Sequence, residues 1–185
     1  MPAPEKTTLD QIVTAARDLV EQLGIDDLTM QAVATRVGVR APSLYKRVRD
    51  RNELLALVVA STIDALASQL DATLDDPDPR TRIRTQADGL RRFAHERPVG
   101  YALLFGAHGA PRGEPAALAR SVTPLLDAVR ELTGDEHALD GARLVTAWAN
   151  GFITMELAGS LRMGGDIDEA WNWGLTRIIA TLEPH

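Results

Sequence analysis

The chain has 185 residues and a mass of 20.1 kDa, which sets one domain or two small ones. Apolar residues make up 45% and charged residues 25%, the balance of a soluble globular protein, so a disordered or fibrous chain is excluded. It holds no cysteine, which rules out disulfides, thiolate metal sites and a cysteine nucleophile and fits a reducing compartment. The longest strongly apolar stretch without a charge, the 12 residues Leu144–Met155, falls short of a bilayer span. The opening residues Met1-Pro-Ala-Pro-Glu-Lys lack the apolar core of a secretion signal. The expectation is a soluble, cytoplasmic protein with no membrane partner.

The net charge of −6 is unevenly placed. Residues 36–51 hold Arg36, Arg40, Lys46, Arg47, Arg49 and Arg51 against Asp50 alone. An acidic body with one basic patch steers a polyanion to that patch and repels it elsewhere. A solvated surface cluster is the other reading of the same charges.

Helical periodicity runs through the whole chain and clean strand alternation is absent. Ile12, Ala16, Leu19, Val20 and Leu23 share one helix face, with Thr8 and Gln11 in capping-box spacing and Gly24 as the stop. Short helices follow over about 30–37, capped by Thr29 and broken by Gly38, and over about 41–48. Asp50-Arg-Asn-Glu53 has capping-box spacing and opens a long amphipathic helix to Leu74, stopped by Asp75-Asp-Pro-Asp-Pro79. Further helices are predicted near 80–97, 99–106, 115–133, 136–163 and 167–182, with breaks at Pro98, the 106–115 loop, Gly134 and Gly164-Gly165. Pro124 is expected to kink or split the third of these. The sum is an all-α protein of about nine helices. Two domains are expected, over 1–51 and 52–185.

Residues 29–48 read TMQAVATRVGVRAPSLYKRV. Val33, Ala34, Val37, Val39, Leu44 and Val48 can close a small core between two helices joined at Gly38-Val39. This is the helix-turn-helix pattern, whose second helix enters the major groove of double-stranded DNA. A purely structural helical hairpin has the same apolar spacing, and the surrounding basic residues favour the DNA reading.

The segment from Thr8 to about Leu66 resembles the N-terminal domain of the tetracycline-repressor (TetR) family of bacterial regulators. Ala15-Ala-Arg-Asp-Leu19, Gly24, Leu28-Thr-Met30, Ala34, Val37-Gly-Val39, Leu44-Tyr45 and Arg51-Asn-Glu-Leu-Leu55 carry the resemblance. Phe93-Ala-His-Glu-Arg-Pro98, Leu103-Leu-Phe105, Trp148-Ala-Asn-Gly151 and Trp171-Asn-Trp-Gly174 resemble one C-terminal variety of the family more loosely. Three positions depart from the family pattern. Arg40 stands where a Ser cap is frequent, Val48 replaces a frequent Phe, and Arg51 replaces a frequent Lys.

The resemblance implies that Thr29, Tyr45, Lys46 and Arg51 meet phosphates. Arg40, Ala41, Pro42 and Ser43 occupy the leading end of the second helix of the helix-turn-helix and are expected to face base edges; Arg40 either takes a guanine bidentately or only weakens the helix start. Core packing is the alternative for Tyr45. In the C-terminal half a small, largely apolar effector is expected among Phe93, Tyr101, Leu104, Phe105, Leu126, Trp148, Phe152 and Met155, with His95, His108, Asn150 and Glu156 as polar anchors. Each anchor has a plainer reading: surface histidines, an interhelical hydrogen bond for Asn150, a solvent-facing carboxylate for Glu156.

No phosphate-binding glycine loop, nucleophile elbow or HExxH occurs, and the histidines have no metal spacing, so neither an enzyme nor a cofactor or metal is expected. The last two helices, with all three tryptophans, are expected to build a homodimer, the alternative being a C-terminal core. The leading expectation is a ligand-responsive repressor that binds a palindromic operator as a homodimer. The alternatives are a DNA-binding regulator without a ligand, and an all-α binding protein or enzyme with a structural hairpin.

Overall fold

The computed structural model describes residues 7–71, 76–105, 111, 113 and 115–182. Among the described residues there is no strand, and eight helical segments follow one another. They are α1 (Leu9–Leu23), α2 (Met30–Arg36), α3 (Ala41–Leu44), α4 (Arg51–Asp71), α5 (Pro79–Glu96), α6 (Pro98–Leu104), α7 (Pro115–Leu157) and α8 (Ile167–Ala180).

The start signals act as their chemistry requires. Thr8 Oγ1 accepts the Gln11 N–H at 3.2 Å, and Gln11 Oε1 accepts the Thr8 N–H at 3.0 Å, a full capping box. Asp50 Oδ1 accepts the Glu53 N–H at 2.8 Å, but Glu53 reaches past Asp50 to the Arg49 N–H at 2.5 Å. The predicted box at the head of α4 is therefore half present, its return arm displaced by one residue.

The chain divides into two compact units. One comprises 1–65 and 97–117, the other 66–96 and 118–185, so the chain passes between them three times, first inside α4 between Ala65 and Leu66. In the first unit, Ile12, Ala16 and Val20 of α1, Val33 and Ala34 of α2, Leu44 of α3, and Leu54, Val58 and Ile63 of α4 are buried together, with Leu103 of α6. α4 is long and apolar enough on length and composition to cross a membrane, but half of that window is buried.

In the second unit, Ile83, Ala87 and Phe93 of α5 lie buried, as do Ala142, Val145, Ala149 and Ile153 of α7 and Trp171, Leu175 and Ile179 of α8. α7 is two rods. Gly134 has φ 75° and ψ 172°, outside helical space. A Cβ on Gly141 would stand 2.6 Å from Val129 Cγ1. Twelve residues of straight helix span about 18 Å, so the chain must double back between these positions. Pro124, by contrast, stays inside the helix.

Two elements are shorter than their periodicity suggests. The second rod of α7 ends at Leu157 rather than near 163, because Gly159 at φ 61° stops it. There the Gly159 N–H donates to Glu156 O at 2.9 Å and the Ser160 N–H to Met155 O at 2.9 Å, the paired bonds of a Schellman stop. α3 has only four α-helical residues, Ala41–Leu44, and no side chain caps it, since Arg40 in the cap position carries no short acceptor. It continues as a turn, with Arg47 and Val48 N–H both donating to Leu44 O at 2.8 and 2.9 Å.

Candidate nucleic-acid interface and an ionic cleft

The helix-turn-helix is built from its own buried residues. Thr29 caps α2, its Oγ1 accepting the Ala32 N–H at 3.1 Å. After Arg36 the chain turns at Gly38, whose φ of 75° suits glycine, and the Val39 N–H returns to Ala34 O at 2.9 Å. Val33, Ala34, Leu44 and Val48 are sealed inside.

What remains outside is basic and polar. Thr29, Arg36, Arg40, Pro42, Ser43, Lys46 and Arg47 are exposed, and Ala41 is half-buried. Tyr45 is 55% exposed, so its ring stands on the surface rather than in the core. Arg49 is exposed and pairs with Asp50 at 3.0 Å. Arg51 behaves differently from its neighbours. It is half-buried, and its guanidinium turns inward: Nε donates to Leu28 O at 2.7 Å and Nη2 donates to Ile25 O.

The expected effector residues fall in both units. Tyr101 and Phe105 sit in the first unit, with ring centroids 5.0 Å apart. Phe93 is fully buried in the second unit, while Met155 is 48% exposed on the outside of α7. Asn150 is half-buried beside an exposed Gly151. His108 lies outside the described residues. Trp148 and Phe152 pack on Trp171, with ring centroids at 4.9 and 5.2 Å.

His95 and Glu156 do come together, in an open cleft of about 600 Å³ that Asp88, Arg91, Arg92, Asp168, Trp171 and Asn172 also line. Glu156 Oε2 accepts from Arg91 Nε at 2.9 Å and Oε1 from Nη2 at 2.5 Å, and His95 Nε2 lies 3.2 Å from Oε2. Arg91 Nη2 also reaches Asp168 at 2.7 Å, and its guanidinium lies over the Trp171 ring at 5.2 Å. Trp171 Nε1 donates to Asp88 at 2.7 Å. The Arg91 hydrogen bonds, helped by His95, hold the Glu156 carboxyl below its usual range despite burial, and raise the Arg91 guanidinium in turn.

Arg91 of α5 bridges Glu156 of α7 and Asp168 near the start of α8, and so ties the three helices together. Apart from Trp171, the side chains that line this cleft are polar or charged. Arg91, Asp88 and Asp168 carried no sequence signal, because their partners lie far along the chain. Gln86 of α5 was also missed. It is 4% exposed, and its Nε2 has no protein partner among the described residues.

Comparison with known proteins completes the picture. A family described as "Bacterial regulatory proteins, tetR family" matches residues 12–58, and one described as "Tetracyclin repressor-like, C-terminal domain" matches residues 83–178. An uncharacterized HTH-type transcriptional regulator of Mycobacterium tuberculosis is 28% identical over 97% of this chain and 84% of its own length. A Rhodococcus protein of unknown function has the same fold, with TM-score 0.79, 22% identity and full coverage of both chains. So does a TetR variant from Acinetobacter baumannii in complex with minocycline, with TM-score 0.68, 23% identity, and 95% of this chain and 96% of that one covered. The C-terminal match alone spans more than half of the 185 residues, and the basic helix-turn-helix precedes it: the chain belongs to the tetracycline-repressor family of transcriptional regulators.

Proposed function

We propose that this protein is a repressor that binds a two-fold symmetric DNA operator as a homodimer and leaves it when a small effector enters the second unit. The observation that carries the DNA part is the exposed set Arg40, Pro42, Ser43, Tyr45 and Lys46 on and beside α3. In this reading Arg40, Ala41, Pro42 and Ser43 meet base edges, while Thr29, Tyr45 and Lys46 meet phosphates. DNA reading belongs to residues 1–51, and effector binding and dimerisation to 52–185.

The second rod of α7 and the outer face of α8 support dimerisation. Leu144, Ala147, Gly151, Met155 and Ala158 are all exposed at spacings that place them on one helix face. A Cβ on Gly151 would meet nothing within 4 Å. On α8, Ala170, Trp173, Arg177 and Ala180 are exposed at helical spacing, and Trp173 is 66% exposed. Two such stripes per subunit pack as a four-helix bundle with their copies. Val145, Trp171, Leu175, Ile179 and Leu182 are spent inside the subunit, so the interface is narrower than the apolar content of both helices.

Support for an effector comes from family membership, from the minocycline complex of the fold relative, and from Gln86. A buried amide without a partner costs about 1–3 kcal/mol, and a ligand acceptor placed beside it removes that cost. α4 begins at the helix-turn-helix and ends in the second unit. An effector that favours one setting of α4 then changes the spacing of the two α3 elements, and coupling of about 1–3 kcal/mol weakens the operator complex by about 5–150-fold.

The test is selection from a random DNA pool by the full chain. A dyad sequence should emerge, bound by two chains, with a steep loss of affinity as salt rises. Failure to enrich any sequence overturns the DNA reading. Titrating tryptophan-quenching ligands against the complex then tests the effector; hits that never change DNA affinity overturn that part alone.

A further inference from the structure

Arg51 is the basic residue of the 36–51 stretch that does not face outward. It is the first residue of α4, where a free guanidinium would meet a phosphate most directly. Instead its Nε and Nη2 hydrogen-bond to the carbonyls of Leu28 and Ile25, three residues apart in the turn between α1 and α2. That turn is itself closed by the Leu28 N–H donating to Ile25 O at 3.3 Å. The side chains of Ile25 and Leu28 are buried, which fixes the turn from below.

The next residue along the chain is Thr29, the cap of α2. The Leu28 carbonyl belongs to the peptide group that delivers Thr29, so holding that oxygen holds the plane from which α2 departs. Arg51 thereby ties the head of α4 to the head of α2. The planar fork of a guanidinium serves two acceptors at once from a fixed geometry, which an ammonium on a flexible stem does not reproduce.

We propose that Arg51 is a positioning residue of the DNA-reading unit: it sets the orientation of the helix-turn-helix against α4 through the Ile25 and Leu28 carbonyls, and does not itself neutralise a phosphate. This rests on the DNA-binding reading above and refines one of its residues. It also means that a shift of the first turn of α4 is handed to α2 through two hydrogen bonds as well as through packing.

The Arg51→Lys variant separates the possibilities, because it keeps the charge and removes the fork. Wild type and variant are titrated with the selected operator and with unrelated duplex DNA, across a range of salt and well below the thermal midpoint of either. The expected result is a loss of operator affinity of about tenfold, the worth of one charge-assisted hydrogen bond. Affinity for unrelated DNA and the salt slope should stay at wild-type values. Arg51→Gln should lower operator affinity similarly and leave the slope within less than one phosphate contact, each of which is worth about −0.9.

If Lys restores operator affinity and Gln flattens the slope by about 0.9, Arg51 is a phosphate contact and the proposal fails. If Lys lowers only the thermal midpoint and leaves both affinities untouched, the two bonds are structural and the proposal also fails. If the wild-type chain selects no DNA at all, the underlying reading has failed instead, and that result is seen before any variant is made.

Discussion

A ring carbon of Trp148, Cζ2, occupies the space above Gly174 so closely that a Cβ there would stand 2.5 Å away. The indole also stacks on Trp171 at 4.9 Å between centroids. Gly174 thus lets α8 approach α7, and Trp148 fills the gap that approach leaves. In mid-helix, Gly→Ala ordinarily gains about 1 kcal/mol. Here the added methyl meets a rigid ring, and overpacking costs about 1–3 kcal/mol. Gly174→Ala is therefore expected to destabilise the protein in urea unfolding. Trp148→Phe should lower stability as well, while a variant with unchanged stability and altered ligand affinity would place Trp148 in a pocket.

Glu21 of α1 caps the start of α6. Its two carboxylate oxygens accept the N–H groups of Val99 at 2.9 Å and Gly100 at 3.0 Å. Pro98 occupies the first helical position and has no N–H to satisfy, so the carboxylate meets the two donors that follow it. Glu21→Gln keeps the shape and removes the charge that suits a helix N-terminus. The expected loss is about 0.5–2 kcal/mol, the range for a lost cap. Hydrogen exchange at Val99 and Gly100 should quicken more than exchange in α5.

The Glu156 carboxyl titrates below its ordinary value because Arg91 and His95 bind the charged form. A carboxylate favoured in the folded state contributes stability above the unfolded value, and that contribution disappears as pH falls through the lower folded value. Glu156→Gln should cost about 1.5–3 kcal/mol at neutral pH, the worth of a hydrogen bond to a charged group. Compared in the His95→Gln background, which isolates the Arg91 contact, the gap between Glu156→Gln and its parent should close as pH falls below the unfolded carboxylate range and through the lower folded value. A gap that widens in acid contradicts this account.

Gln86 offers a test in which stability and binding move in opposite directions. Its buried Nε2 has no protein acceptor among the described residues. Gln86→Met has similar volume and no donor, so the ligand-free protein should be stabilised by about 1 kcal/mol or more. Any effector found by fluorescence quenching should bind the variant more weakly. Equal stability and equal binding would show that Gln86 is satisfied in another way.

Local chemistry was legible in the sequence wherever it acts over a few residues. Thr8 with Gln11, Thr29, Gly24, Gly38 and Gly134 stop and start helices by bonds and dihedrals that involve only their near neighbours. The helix-turn-helix was visible for the same reason, since its core closes within 20 residues of chain. The contacts that Arg51, Arg91, Glu21 and Gly174 make were not legible. Arg51 reads as one more surface cation until its fork is seen on carbonyls 23 and 26 residues back. Glu156 reads as a lone carboxylate until Arg91, 65 residues away, lies against it. Periodicity tells which face of a helix is apolar, but not which part of that face is buried within its own chain and which is left exposed. That division, seen in buried Trp171 beside exposed Trp173, is set by how α7 and α8 rotate against each other, and rotation is decided by tertiary packing.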